Sequence, residues 1–314
     1  MPKKPAIFPR PRQRAFLDDI TTAPDLQSVI DIMVALRDTF PARRPEQGAR
    51  WTWVVAFNLL INYLIVLAGE FAGTIERGTR FVVGTPATIF AEGNGKLPFS
   101  QFSTLPLYTC PGKGACAVWC YSLKAWRAPT AFIRQVQNYL LMKYDRAAIR
   151  REFLALPHGV FFRLYVDGDF ADMGELAFWF GLLNSRPDIK CYGYSKSLHL
   201  FRQWAEQGLP FPKNYRLNLS GGGKFEPGND IYEQCKTLPV YRGEFMAVTV
   251  TGKYAEDQYS DARYHADVRA AVVETTGEKG VSCGGLCGQC GVNAGGHWCW
   301  NDRYHGVVIG IGIH

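Results

Sequence analysis

In the second half of the chain, short apolar runs alternate with longer amphipathic ones. Residues 160–166 (VFFRLYV) predict a strand that ends in Asp167-Gly168-Asp169. Residues 175–183 predict a helix. Residues 189–194 (IKCYGY) predict a strand ending in Ser195-Lys196-Ser197, and residues 199–207 a helix capped by Gly208. Residues 215–219 (YRLNL) predict a strand ending in Ser220 and three glycines. A strand over 245–250, a helix over 264–274 and a closing strand over 307–313 complete the pattern. Strands alternating with helices imply a parallel sheet with right-handed crossovers. Each strand ends in polar residues or glycine, and such sheets and barrels bind ligands at their carboxyl ends. The fold class expected is α/β: a partial (β/α) barrel-like parallel sheet, preceded by a helical segment and followed by a Cys-rich metal-binding loop.

The N-terminal residues are patterned differently. Residues 15–40 read as helical, with Leu26, Val29, Ile30, Met33, Val34 and Leu36 close to a 3.6-residue period. Residues 51–68 form the most hydrophobic segment and, at 18 residues, touch the lower limit for a membrane span. Asn58 and Asn62 lie mid-segment on one helical face and Glu70 ends the run, so a helix buried in a protein core is the expectation. Residues 81–83 and 88–90 predict short strands, 91–96 a turn-rich link, and 130–153 one long helix. The domain organisation expected is a disordered basic arm (1–14), a mainly helical segment (15–90), an α/β core (91–275) and a Cys-rich metal-binding segment (276–314).

Composition narrows the classes. The chain has 314 residues, 47% of them hydrophobic, which is ample for a real core. Nine cysteines are far too few for a disulfide scaffold. The basic N-terminus leads into Pro-rich sequence, not the apolar stretch of a secretory signal. A reducing compartment, the cytoplasm, is therefore expected, where clustered cysteines point to metal. The formal net charge is +7, and Lys3, Lys4, Arg10, Arg12 and Arg14 supply five of those charges with no acid among the first 14 residues. That pattern excludes a uniformly basic nucleic-acid-binding surface and leaves the arm as a candidate contact for a phosphate backbone.

The strongest candidate chemistry is sulfur. Cys110, Cys116 and Cys120 are spaced C-x5-C-x3-C. Pro111, Gly112 and Gly114 force the backbone between them into a loop that can turn its thiols inward. Three thiols are one short of a closed tetrahedral zinc site. They suit an iron–sulfur cluster with one open iron, or a site completed by a distant residue. Cys283, Cys287, Cys290 and Cys299 follow as C-x3-C-x2-C-x8-C among seven glycines between 280 and 296. Four thiols complete either a zinc site or a [4Fe–4S] cluster. Cys191 and Cys235 have no close thiol neighbours in sequence, and Cys191 is expected in the core. Asp167, Asp169 and Lys196 are the candidate catalytic groups at the strand ends; Gly168, Ser195, Ser197, Asn218 and Ser220 are candidates to hold cofactor or substrate. The chain has no Walker A loop, and Ser220–Lys224 lacks its G-x4-G-K-[ST] order. No Ser/His/Asp spacing repeats a known catalytic motif.

Two resemblances extend this reading. Gly93-Asn94-Gly95-Lys96, Leu105-Pro106, Thr109-Cys110-Pro111-Gly112, Cys116, Cys120-Tyr121, Gly168-Asp169-Phe170, residues 192–197 (YGYSKS) and Cys299-Trp300 together resemble the gene product 88-like family of phage and plasmid proteins. That implies a mobile-element origin. More loosely, the chain is similar to radical SAM enzymes, which carry a three-cysteine loop after the first strand of a partial barrel. The resemblance implies that Cys110, Cys116 and Cys120 hold a [4Fe–4S] cluster whose open iron takes S-adenosylmethionine. It also implies that Gly168-Asp169 is the Gly-acid motif after the second strand and that Cys283–Cys299 hold an auxiliary cluster. The usual spacing of that family is C-x3-C-x2-C, from which the first loop here departs. The expected function is an iron–sulfur, radical-SAM-like enzyme. The alternative is a non-catalytic zinc or iron–sulfur protein that binds nucleic acid or protein during plasmid or phage replication or transfer.

Overall fold

The computed structural model describes residues 8–40, 53–91, 93, 97–254, 258–287, 290 and 297–313. In chain order these form α1 (Arg10–Thr22), α2 (Leu26–Asp38), α3 (Trp53–Ala72), α4 (Thr79–Val83), β1 (Ser100–Gln101), α5 (Cys116–Trp119), α6 (Pro129–Tyr144), α7 (Arg146–Leu154), β2 (Phe161–Leu164), α8 (Met173–Ser185) and β3 (Lys190–Ser195). They continue as α9 (Leu198–Glu206), β4 (Tyr215–Ser220), α10 (Asp230–Cys235), β5 (Tyr241–Thr249), α11 (Ala262–Thr276), β6 (Gly280–Ser282) and β7 (Val307–Ile313). The chain divides into two compact units. One comprises Met1–Ile89 with Tyr121–Ile149, the other Phe90–Cys120 with Arg150–His314.

The first unit is helical. Phe16, Leu17 and Ile20 of α1, Val29, Ile30 and Met33 of α2, Phe57, Leu60, Ile61 and Leu64 of α3, and Phe132, Ile133 and Val136 of α6 form its core. Arg10, Arg12 and Arg14 belong to α1 and not to a disordered arm. Pro11 is tolerated in its first turn, where the missing N–H has no helical partner, and the apolar stripe behind it is buried. Lys3, Lys4 and the rest of residues 1–7 lie outside the described residues, as do 41–52. The run over 15–40 is two helices, because Pro24 interrupts it and the Asp25 side chain accepts from the Ser28 amide to start α2. The helix expected over 130–153 is likewise two, broken at Asp145.

The strands expected at 81–83 and 88–90 are absent. Residues 81–83 lie in α4. The backbone near 88–90 is tied by side-chain amides instead of a strand partner: Gln137 bonds both the amide and the carbonyl of Ala87, and Asn138 donates to the Ile89 carbonyl at 2.9 Å. Helix α3 is long and apolar enough to cross a membrane, yet 44% of its apolar window is buried inside the protein. Its last turn carries Glu70, only 3% exposed and ion-paired to Arg80, which also binds Asp145 at 2.7 Å. Tyr63 donates to the same Asp145 carboxylate at 2.7 Å.

The second unit is an α/β sheet of seven strands in the order β1-β2-β3-β4-β5-β7-β6, every neighbouring pair parallel. The first five strands run in sequence order, as in a barrel that has not closed. The structure thus bears out the α/β class and the parallel, partial-barrel sheet. Register separates its two faces. Phe162, Leu164, Cys191, Tyr215 and Leu217 are buried on the face that meets the helices, with Trp179 of α8 6.1 Å from Phe162 and Phe201 of α9 stacked 6.2 Å from Tyr215. Phe161, Arg163, Tyr192, Tyr194, Arg216 and Asn218 lie on the other face.

The strand order explains what covers that second face. A right-handed crossover that advances along the sheet puts its helix on one side. The step from β6 back to β7 runs in the reverse direction, so a right-handed connection must pass on the opposite side. That connection is the late cysteine segment. His297 stacks on Phe161 with ring centres 3.7 Å apart, and Arg216 pairs with Asp302 while lying over the Trp300 ring.

Candidate functional site

The carboxyl ends of β2, β3 and β4 meet the first cysteine loop. At the end of β2, Tyr165 adopts a left-handed φ of +57°, held by its hydroxyl, which donates to Glu175 at 2.5 Å and accepts from Trp179 at 3.0 Å. Gly168 follows at φ +80°, and a Cβ there would lie 2.3 Å from the Thr104 hydroxyl, so only glycine fits. The Asp167 carbonyl accepts from the Thr104 amide at 3.0 Å, tying this turn to the chain after β1.

Asp169 is 3% exposed. Its carboxylate takes hydrogen bonds from the Ser195 hydroxyl (2.8 Å), the Lys196 amide (2.7 Å), the Ser197 amide (3.0 Å) and the Phe170 amide (2.9 Å). Burial pushes the carboxyl above its usual range, against bonds from Lys196, Ser195 and Phe170 that pull it down. Asp169 is thus a clamp on the end of β3. Ser195 and Ser197 are spent within the clamp, the latter donating to the Phe170 carbonyl at 2.9 Å. What projects from the clamp is Lys196, whose ammonium donates to Ser220 at 2.5 Å.

The first cysteine loop is fixed to this rim through its backbone. The Gly112 carbonyl accepts from the Lys224 amide at 2.8 Å, the Cys116 amide donates to the Gly222 carbonyl at 2.9 Å, and Lys113 bridges to Gly223. A Cβ on Gly112 would lie 1.7 Å from the Lys196 carbonyl oxygen. Cys110 therefore sits beside Asp169 and Lys196. Burial, then the Asp169 charge, then Cys120, push its thiol up to about 12. In the glycine loop after β4, burial raises the Glu226 carboxyl, against the Gly222 and Gly223 backbone that lowers it.

The four late cysteines gather on the opposite sheet face from the helices. Tyr194 donates to the Cys299 sulfur at 2.8 Å, and Asn218 donates to the Cys299 carbonyl at 3.0 Å. Cys283 is pushed up to about 11 by burial and by Cys287 and Cys290. Cys299 is pushed up to about 12, burial outweighing Arg242 and the Tyr194 hydrogen bond; Cys283 and Cys287 add to the rise. Cys287 is raised by burial and lowered by Arg163 and a hydrogen bond with Tyr192. All nine cysteines are free thiols. Among the described residues no three Cys, His, Asp or Glu side chains are placed to hold one ion. The donor chemistry still fits a soft metal: burial raises the thiols of Cys283, Cys287 and Cys299, Cys290 lies close enough to act on Cys283 and Cys287, and a bound cation displaces thiol protons. The glycine wrap between Cys290 and His297 lies outside the described residues.

Of the sequence candidates, Cys110, Cys120, Asp169, Ser195, Lys196, Ser197 and Ser220 come together at the rim. Asn218 joins the late cysteines instead; Cys191 is buried in the core as expected, and Cys235 is buried too. Sequence reasoning missed Arg163, Tyr192, Tyr194 and Arg242. The signal was present in part, since Arg163, Tyr192, Tyr194 and Asn218 occupy alternate positions of their strands.

These features define a class: an α/β protein of sequentially ordered parallel strands, with one cysteine group at the carboxyl rim and another against the helix-free face. The family model described as gene product 88 matches residues 81–294, well over half of the chain, and the protein belongs to that family. No curated protein and no solved structure matches the chain.

Proposed function

We propose that this protein is a thiolate–metal enzyme of mobile-element origin. In this reading Cys110, Cys116 and Cys120 take an iron–sulfur cluster at the sheet rim, and Cys283, Cys287, Cys290 and Cys299 take a second metal centre. The supporting observation is the attachment of the first loop: it follows β1, the first strand of a sequentially ordered sheet, and is hydrogen-bonded to the loops after β4 while packed on the end of β3. In this reading the loop takes the part of the three-cysteine loop of radical SAM enzymes. A cluster held by three sulfurs supplies an open coordination position for a cofactor such as S-adenosylmethionine. Lys196 beside Ser220 supplies a cation for an anionic group of cofactor or substrate, and the Asp169 clamp holds the Lys196 backbone in place. Nine free thiols fit a reducing compartment, and we assign the protein to the cytoplasm on that ground.

Anaerobic purification with iron, sulfide and zinc analysis tests the reading. The expected result is a brown protein with several irons per chain that binds S-adenosylmethionine in equilibrium dialysis, the binding lost in Cys110→Ala. Colourless protein holding zinc and no iron overturns the iron–sulfur assignment. Full iron without S-adenosylmethionine binding overturns the radical-SAM-like one.

A further inference from the structure

Arg242 is fully buried, at 0% exposure. The β4–β5 register steps from Leu217↔Tyr241 to Asn218↔Gly243, which leaves Arg242 as the extra residue of a bulge. Bulges re-aim a side chain, and this one sends a guanidinium onto the helix-free face. Its partners are all neutral: both Nε and Nη2 donate to Asn218 Oδ1, and Nη1 donates to the carbonyls of Tyr304 (3.1 Å) and Val307 (3.3 Å). Among the described residues no carboxylate lies within ion-pairing distance of it. A guanidinium does not shed its proton to escape burial, and a buried charge without a counter-charge is strongly destabilising. Cys299 lies within electrostatic reach of the guanidinium, as does Glu244, whose carboxylate is already paired with Lys236 at 2.9 Å. Asn218, which accepts from Arg242, donates in turn to the Cys299 carbonyl at 3.0 Å and to the Gly193 carbonyl at 3.2 Å.

We propose that Arg242, Asn218 and Tyr194 are positioning residues of an anionic tetrathiolate centre formed by Cys283, Cys287, Cys290 and Cys299. The inference rests on the metal reading above and adds its charge. A divalent core bound by four thiolates is net negative whether it is zinc or an iron–sulfur cluster, and Arg242 is the counter-ion built for it. Asn218 relays the guanidinium's position to the Cys299 backbone, and the Tyr194 hydroxyl donates to the Cys299 sulfur. Such outer contacts fix ligand orientation and typically change metal affinity 10- to 100-fold.

The test uses the full chain, purified anaerobically with Cys110→Ala to silence the first loop. The rate of metal loss to EDTA and the thiolate-to-metal absorption are read. Arg242→Met and Tyr194→Phe are expected to lose metal roughly 10- to 100-fold faster. Arg242→Lys, which keeps the charge, is expected to recover part of that loss. Tyr194→Phe is also expected to shift the absorption band, which a purely structural role would leave in place. If Arg242→Met does not fold, Tyr194→Phe and Arg242→Lys decide. Folded variants that hold metal as long as the parent overturn this inference alone. A parent that carries no metal at the late cysteines overturns the metal reading itself, and this inference with it.

Discussion

At the scale of single residues, charge is placed with little waste. Arg186 binds Asp188 through both Nε and Nη2 at 2.8 Å, and spends its remaining donors on the carbonyls of Leu154 (2.9 Å), Leu156 (3.0 Å) and Pro157 (3.2 Å). The Arg186 hydrogen bonds, then the Gly159 amide, hold the Asp188 carboxyl far below the usual carboxylate range. A carboxyl depressed on folding contributes stability above its unfolded pKa and loses it as pH falls toward the folded value. The loss therefore begins near pH 4, the ordinary value for Asp, and grows as the pH drops further. Asp188→Asn is expected to lower Tm at neutral pH and to flatten the acid limb of the Tm profile below about pH 4. A limb unchanged in steepness would show that other carboxylates govern acid unfolding.

At the scale of elements, the cysteine loop depends on glycine at one position. Gly112→Ala would drive a methyl group into the Lys196 carbonyl, against backbone that has no side chain to swing aside. The expected result is a loop displaced from the rim, with Cys110 reacting faster with a thiol reagent in the metal-free protein while the far-UV spectrum stays that of the parent. Equal reactivity would mean that the loop's hydrogen bonds to Gly222 and Lys224 suffice to hold it. The core elements were legible in the sequence: β3, β4 and β7 fall within a residue or two of the strands expected from VFFRLYV-like runs bounded by Gly, Asp and Ser. The strand expected at 81–83 failed because propensity lost to tertiary contacts. Phe81, Val82 and Val83 favour strand, but Arg80 is anchored on Glu70 and Asp145, and the turn closes as a helix. Strand β1 was invisible because it is two polar residues that become a strand through pairing with β2 and a bridge from Gln101 to Ala91.

At the scale of the molecule, each unit carries its own polar anchor. Arg80 satisfies two buried carboxylates, and its partners all lie in the helical unit. Arg80→Met leaves Glu70 and Asp145 buried and unpaired, and is expected to cost about 3–5 kcal/mol in urea unfolding. Metal content should not change, since both cysteine groups lie in the other unit. Loss of metal in a folded Arg80→Met protein would show that the units are energetically coupled. The rim site was readable in advance because carboxyl ends of parallel strands follow one another in the sequence. The late cysteines were legible as a group but their place on the sheet was not, because it depends on β6, three residues long, and on a reversal of strand order that no local pattern announces.

That reversal also dictates an order of assembly. Among the described strands β6 pairs with β7 alone, and β7 fills the gap between it and β5. Until those final residues dock, Gly280–Ser282 has nothing to lie against and Cys283 has no fixed address. In the metal reading proposed above, capture of an ion by the four late sulfurs is thereby tied to the docking of β7, and a chain lacking that strand would carry the thiols without the means to gather them.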